Sequence, residues 1–368
     1  MKQKNSGFLD TLAQCSKTFL PRDASRVNIH DLRLFSCHGV SSTMYTFLLS
    51  YSLQGLNHND SLVLRVYDKG FEINGLKEYK LLKDLKASYM PVPNAYFFEI
   101  NDRVLKKAFM IMEKIDGVRA SVFLNNDNSA LATIDKMAEA LNKIHNMNPR
   151  FLRDFDALQK QYLLDQERLL KIIAWIKKTP IGFFCFLNSY QKRLIAAVKR
   201  LEQLEPREFR PAILHCDYEP NHALFVNGEC IIVDWHMAVV GDPSFDVANT
   251  YHELELLENS CKVDLGDYFV QCYEKHSGQR LANLQFNKKM SALRFASWFL
   301  LFPFEPNIFS IFMSLAKDSL SIGRIGYNLR KRYRQHSLNQ QHSSGQKPLE
   351  YFQDYVVRSL ENAVHRER

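Results

Sequence analysis

Residues 213–225, ILHCDYEPNHALF, set a histidine, a thiol, two acids, an asparagine and a second histidine between apolar flanks. A buried strand rejects Asp217 and Glu219 unless each finds a partner, because an unpaired buried carboxylate costs several kcal/mol. The stretch is therefore either a wet surface turn or a working site. A further acid, Asp234, ends the apolar run CIIVDW just past the turn signal of Asn227 and Gly228. Hairpin strands lie about 5 Å apart, so acids on the two arms would converge on one small volume. Phosphoryl transfer wants such a site. One carboxylate orients or deprotonates an acceptor hydroxyl, while the other, with a neutral ligand, holds Mg²⁺ against nucleotide phosphates. Hard oxygen ligands suit magnesium better than thiolates do.

The elements that must position these residues change character along the chain. Residues 29–117 offer short β-rich runs, LRLFSC, MYTFLLSYSL, SLVLRVYD and KAFMIMEKI, with turn-like GLNHNDS and one helical stretch, INGLKEYKLLKDLKASY, between them. From about residue 132 the pattern turns helical, with Ile134, Met137, Leu141 and Ile144 on one stripe and amphipathic segments through residue 205. The polar run NNDNS lies near the junction as a loop, and no internal repeat is found. The expected class is α+β, an antiparallel β N-lobe with one helix and a mostly helical C-lobe. The expected boundaries are an N-terminal extension at 1–28, a nucleotide-binding lobe at 29–117, a helical lobe at 118–330 and a basic polar tail at 331–368.

Composition removes several other classes. With 368 residues, 46% apolar and 12% aromatic, the chain can build a real core and is not a disordered protein. The start, MKQKNSGFLDTLAQCSKTF, lacks the apolar stretch of a signal peptide, and the greasiest window is broken by Pro303, Glu305 and Pro306, so no membrane span is expected. Seven cysteines without CxxC spacing point to reduced thiols in the cytoplasm rather than to disulfides or a zinc site. The formal charge of +8 raises the question of nucleic acid. Nine Lys or Arg face four Asp or Glu between Arg324 and Arg368, so the excess is mostly a tail. Its RIGYNLRKRYRQH segment has the makings of an electrostatic patch, but a solvated helix end before a polar linker is the simpler reading, and nucleic acid is disfavoured as a partner.

The order H-x-D, a ligand position five residues later, a strand ending I-V-D-W and then G-D-P-x-x-D resembles the aminoglycoside phosphotransferase and choline kinase family. That family is the small-molecule branch of the protein-kinase-like fold, and the resemblance covers roughly residues 29 to 330. It implies two lobes and a set of roles. Arg65 in LVLRVY stands where the family puts the strand residue that holds phosphates, and Glu78 in LKEYKLL where a helix supplies its partner acid. FMIMEKIDG looks like the hinge, with Met112 facing the adenine pocket and the backbone of Glu113 to Ile115 open to a purine. FSCHGVSSTMY is similar to the phosphate-covering hairpin, where Gly39 permits the turn and Ser41 and Ser42 donate to phosphate oxygens. The resemblance makes Asp217 the catalytic base and Asp234 a magnesium ligand, with His215 bracing the loop and Asp246 tying it in place. It further implies ATP or GTP as phosphate donor and a small hydroxylated molecule as acceptor.

The chain departs from the family pattern at four places. Cys216 stands where the family usually has glycine, and reads as a tolerated small residue. The family's second metal ligand is normally asparagine; here that position is His222, with Asn221 one place early. Macrolide-modifying members also carry histidine there, which favours His222 over Asn221. Arg65 in place of lysine keeps the charge but presents a planar fork, and His236 stands where many relatives carry glutamate. Only six residues separate Asp234 from Gly241, too few for the activation segment on which a protein kinase seats a peptide. The alternative of another class is a catalytically silent nucleotide-binding regulatory module, against which the retained Asp217, Asp234, Arg65 and Glu78 argue. The acceptor stays open: Glu253, Glu255 and Glu258 would suit a cationic substrate or an ordinary solvated helix face.

Overall fold

The computed structural model describes residues 2–36, 42–100, 107–163, 206–255 and 263–291. In chain order its elements are α1 (Lys2–Lys17), β1 (Ser25–Ser36), β2 (Ser42–Leu53), β3 (Leu56–Tyr67), α2 (Glu72–Ala87), β4 (Ala95–Glu99), β5 (Phe109–Glu113), β6 (Val118–Arg119) and α3 (Asp127–His145). They continue with β7 (Ala212–Leu214), β8 (Ala223–Val226), β9 (Glu229–Ile232), β10 (Val239–Gly241), α4 (Ser244–Glu255) and α5 (Leu265–Ser277). The chain divides into a first unit, Met1–Ile144 with Asn148–Phe155 and Pro220–Ala238, and a second, His145–Met147 with Asp156–Glu219 and Val239–Arg368. Of the expected helical stretch through residue 205, residues 164–205 lie outside the described residues, as do Glu258, the tail from 331 and the apolar window near 295–312. Among the described residues no helix is long and apolar enough to cross a membrane.

The first unit is built on an antiparallel sheet in the order β1-β2-β3-β5-β4, with the single helix α2 that the sequence predicts between its strands. Every residue of β3 from Leu62 to Tyr67 is buried, which requires cover on both faces because side chains alternate along a strand. Leu62, Leu64 and Val66 join Phe47, Leu49, Phe109 and Ile111 in a core closed by Leu12 of α1. Arg65 and Tyr67 point to the other face, where α2 buries Gly75, Glu78, Leu81, Leu82 and Leu85. The helix α1, which the sequence reading leaves as an unassigned extension, thus supplies the second cover, with Phe8, Cys15 and Phe19 packed beside Leu12.

Two turns show how local chemistry sets register. GLNHNDS reads as a turn, yet β3 already starts at Leu56, and the turn is confined to Gln54 and Gly55 at φ 50° and 80°. Two residues at positive φ match the twist of a hairpin. The polar run is a solvent-facing strand whose side chains pair across β2, Ser50 Oγ donating to Asn59 Oδ1 at 2.6 Å and Ser52 Oγ to Asn57 Oδ1 at 2.8 Å. The β8–β9 hairpin turns at Asn227 and Gly228, φ 50° and 83°, where the Asn-Gly signal predicts it. Helix α3 also follows its stripe, with Ile134, Met137, Leu141 and Ile144 all fully buried.

In the second unit β7 and β10 pair antiparallel, and α4 packs on α5. Asp242 caps α4, its Oδ1 accepting from Ser244 N at 2.9 Å and Ser244 Oγ at 2.6 Å, while its Oδ2 accepts from the amides of Asn283 and Asn287. On α4, His252 Nε2 donates to Lys288 O at 2.9 Å, and the Lys288 ammonium lies 3.3 Å from the Tyr251 ring centroid. Burial lowers the His252 imidazole to about 4, with the Lys288 charge adding to the shift.

That depressed value makes His252 an acid-side liability. Its stabilising neutral form is fully present above the unfolded value of about 6.5 and is lost as pH falls through the folded value. His252→Gln keeps a donor for Lys288 O but cannot titrate. Urea unfolding at pH 7.5 and at pH 4.5 should show the parent losing about 2 kcal/mol more than the variant over that interval. Equal losses in the two proteins would remove His252 from the account.

Candidate active site

The site begins with a buried cation. Arg65 is 4% exposed on β3, so its donors need acceptors brought to them by other elements. Its Nη1 lies 2.8 Å from Glu78 Oε1 of α2 and 2.8 Å from Asp234 Oδ1, and its Nε donates to Ser42 Oγ at 3.0 Å. Burial works against the charged guanidinium, but the carboxylates of Glu78 and Asp234 outweigh it and hold Arg65 charged above its ordinary range. Glu78 is secured from its other oxygen, Oε2, by the Tyr67 hydroxyl at 2.9 Å. The Tyr67 ring also lies 5.6 Å from the Arg65 guanidinium. Among the described residues no bond is made by Arg65 Nη2.

Asp234 reaches this cation from the end of the β8–β9 hairpin. Val233 N donates to His222 O at 2.9 Å, closing the hairpin base, and His222 Nε2 then lies 3.7 Å from Asp234 Oδ2. The hairpin sets His222 opposite Val233, and it is the His222 side chain that reaches along to Asp234. Asp217 is not on a hairpin arm, because the register begins at Ala223 opposite Ile232. Asn221 is engaged elsewhere, its Oδ1 accepting from Ser121 Oγ at 2.8 Å. Glu78, Asp234 and His236 bring ligand-type atoms within 4.8 Å of one another, but Arg65 Nη1 already contacts both carboxylates there. That trio is an ion-pair network around an arginine. The His222 and Asp234 pair presents one nitrogen and one oxygen at a separation that a shared divalent ion can close by a small side-chain adjustment, since neighbouring ligands of Mg²⁺ stand about 3 Å apart.

The segment after β7 belongs to the second unit and is held by its backbone. Asp246, fully buried in the first turn of α4, accepts from His215 N at 2.6 Å and from Cys216 N at 2.7 Å. It also accepts from His145 Nε2 at 3.2 Å, and His145 Nδ1 lies 2.8 Å from the Tyr273 hydroxyl. Burial raises Tyr273 and keeps that hydroxyl protonated. Cys216 has φ 63°, the left-handed region, which is the physical reason a glycine is the easier residue there. Asp217 is half-buried, and its N–H donates to His215 Nδ1 at 3.2 Å; one residue on, Tyr218 O accepts from Thr250 Oγ1 at 2.9 Å.

The remaining sequence-predicted residues fall as follows. Ser42 supports Arg65, whereas Ser41 and Gly39 lie outside the described residues. Met112 is buried on β5 opposite Val63, and Met110 stands opposite Arg65, so both methionines share the face of the cation. Glu113 N and Lys114 N donate to Asn94 O and Ser61 O, and among the described residues no partner is found for the Ile115 N–H. The Glu113 side chain accepts from Asn94 N at 2.9 Å. Sequence reasoning gave no role to Tyr67, Gly75 or His145. The contacts of all three cross between elements, and nothing in their spacing signals them.

A family model described as the phosphotransferase enzyme family matches residues 46–268. No curated protein matches the chain. Among solved structures, a candidate aminoglycoside phosphotransferase from Ralstonia eutropha JMP134 aligns with TM-score 0.59 and 17% identity over 88% of this chain and 98% of its own. Amicoumacin kinase in complex with AMP-PNP, Ca²⁺ and Ami gives 0.52 and 13% over 86% and 95%. Ethanolamine kinase from Plasmodium vivax gives 0.50 and 14% over 81% and 80%. At such identities these likenesses establish the fold, the protein-kinase-like one.

Gly75 shows how tightly the cation's support is fitted. A Cβ on Gly75 would lie 2.6 Å from the Tyr67 ring, so Gly75→Ala must displace the tyrosine that holds Glu78. Helix propensity alone favours alanine by about 1 kcal/mol. Overpacking should win, giving a net loss of about 1–3 kcal/mol in urea unfolding. In a Tyr67→Ala background the same change should become neutral or stabilising; a loss of equal size in both backgrounds would show that the ring is not the obstacle.

Proposed function

The chain belongs to the phosphotransferase enzyme family, and from that premise we propose that it moves the γ-phosphate of ATP or GTP to a hydroxyl of a small molecule. The observation that supports this best is the buried Arg65, charged and fixed between Glu78 and Asp234 with Nη2 left over as a donor. A permanently charged, pre-positioned guanidinium neutralises phosphate oxygens without reorganising during the reaction. The Ile115 N–H and the face carrying Met112 receive the purine. Asp234 and His222 hold Mg²⁺, which when bound supplies charge neutralisation at the β- and γ-phosphates.

Asp217 takes or orients the proton of the acceptor hydroxyl. Its backbone is fixed by His215, and His215 is fixed by Asp246, so the carboxylate needs little ordering when the acceptor arrives. After Asp234 the chain enters a short 3-10 turn, Trp235–Met237, and then β10, which leaves no stretch long enough for a peptide platform. This favours a small acceptor over a protein.

Single-turnover transfer from labelled ATP and GTP, with a panel of hydroxylated metabolites and antibiotics in excess, tests the proposal. Transfer to at least one acceptor is expected, and Asp217→Ala should slow it by roughly 10² or more while nucleotide affinity stays within a few-fold. Tight nucleotide binding with no transfer to any acceptor would decide for the silent regulatory module.

A further inference from the structure

Asp234 has a second close neighbour to which the proposed reaction assigns nothing. The side chain of His236 is only 5% exposed, and its Nδ1 lies 2.5 Å from Asp234 Oδ1. Arg65 Nη1 lies 2.8 Å from that same oxygen. Two donors thus converge on Oδ1, and Oδ2 is the oxygen turned toward His222 Nε2. The imidazole is delivered by a stiff support. Residues 235–237 form a 3-10 turn in which Ala238 N donates to Trp235 O, and the Trp235 indole, 1% exposed, donates to Ile232 O at 2.9 Å. Asp234 itself takes the left-handed backbone conformation, φ 69° and ψ 57°, which few non-glycine residues hold without outside help.

From this geometry we infer that His236 is a positioning residue: its Nδ1–H pins Oδ1 of Asp234 so that Oδ2 is presented to a divalent cation. The inference rests on the reading of Asp234 as the metal ligand. It is carried by the division of labour between the carboxylate oxygens, one saturated by protein donors and one aimed at the second ligand. The other ring nitrogen, Nε2, is buried and has no hydrogen-bond partner among the described residues. A buried polar atom left unpaired is costly, so the ring is held by what Nδ1 does. Partners behind a metal ligand fix its orientation and typically carry about 10–100-fold in metal affinity.

The two nitrogens can be separated by substitution, because the amide nitrogen of asparagine overlays Nδ1 and that of glutamine overlays Nε2. Calorimetric titration of AMP-PNP with and without Mg²⁺ reads the metal-dependent part of binding, at a temperature below the melting of every variant. His236→Leu and His236→Gln should weaken that part by about tenfold or more, and His236→Asn should restore it to within a few-fold. Metal-free nucleotide binding should stay unchanged in all three. Asp234→Asn serves as the reference. If it leaves the magnesium dependence intact, the metal role of Asp234 fails and the inference with it. If it abolishes the dependence while the three His236 variants bind as the parent does, only the inference is overturned. Rescue by glutamine and not by asparagine would overturn it in favour of work at Nε2, and equal weakness of all three variants would overturn it too.

Discussion

A charge that cannot be shed is buried on β3, and the first unit is arranged around it. Arg65 is 4% exposed, and the carboxylates beside it hold it charged against the burial that opposes the charge. Acceptors must therefore come from separate parts of the chain: Glu78 from α2, Ser42 from the first position of β2, and Asp234 from the turn after β9. Taking one partner from a buried pair leaves an uncompensated charge, at about 3–5 kcal/mol. The pair is thus weak evidence for net stability and strong evidence for register, because α2, β2 and the β8–β9 hairpin have one placement that satisfies it. Tyr67 extends the constraint to its own neighbour, and Gly75 is small because the ring needs its space.

The second unit solves the mirror-image problem with a buried anion. Asp246 is fully buried and is met by two successive backbone N–H groups and an imidazole. Successive amides converge on one carboxylate when one residue adopts the left-handed conformation, and Cys216 does so at φ 63°. A non-glycine residue there stores strain on the order of 1 kcal/mol, offset by the charge-assisted bond from its own N–H. Asp217 inherits its backbone placement from that anchoring.

Much of this was legible in the sequence, and the failures have physical causes. The order of Asp217, Asp234, Arg65 and Glu78 pointed to the family, and the apolar alternation pointed to the antiparallel sheet with α2 beside it. The run LVLRVY showed that β3 is buried; it did not show what covers its second face, because α1 is paired to it by tertiary packing alone. Polar GLNHNDS imitated a turn, since solvent-facing strand and loop have the same composition. The convergence of Asp217 and Asp234 on one hairpin was read from proximity in sequence. The pairing starts at Ala223, which leaves Asp217 off the arm, and the side chain found 3.7 Å from Asp234 is that of His222. The contacts of Tyr67 and His236 are ones that no periodicity announces.

The choice of arginine over lysine at position 65 follows from the number of directions in which help is needed. A lysine offers one nitrogen, whose hydrogens would have to be shared among Ser42, Glu78, Asp234 and any phosphate. The guanidinium separates these tasks in space. Nε takes the serine, Nη1 lies between the two carboxylates, and Nη2 remains for a ligand under the proposed reading. Under the proposed reading the same separation would allow Asp234 to serve two cations at once, since Oδ1 lies on the arginine and Oδ2 faces the His222 side. Under that reading a divalent ion arriving with a nucleotide would not have to break the ion pair that organises the unit. Its charge and that of Arg65 would both be met by the incoming phosphates, so binding would add to the network without dismantling it.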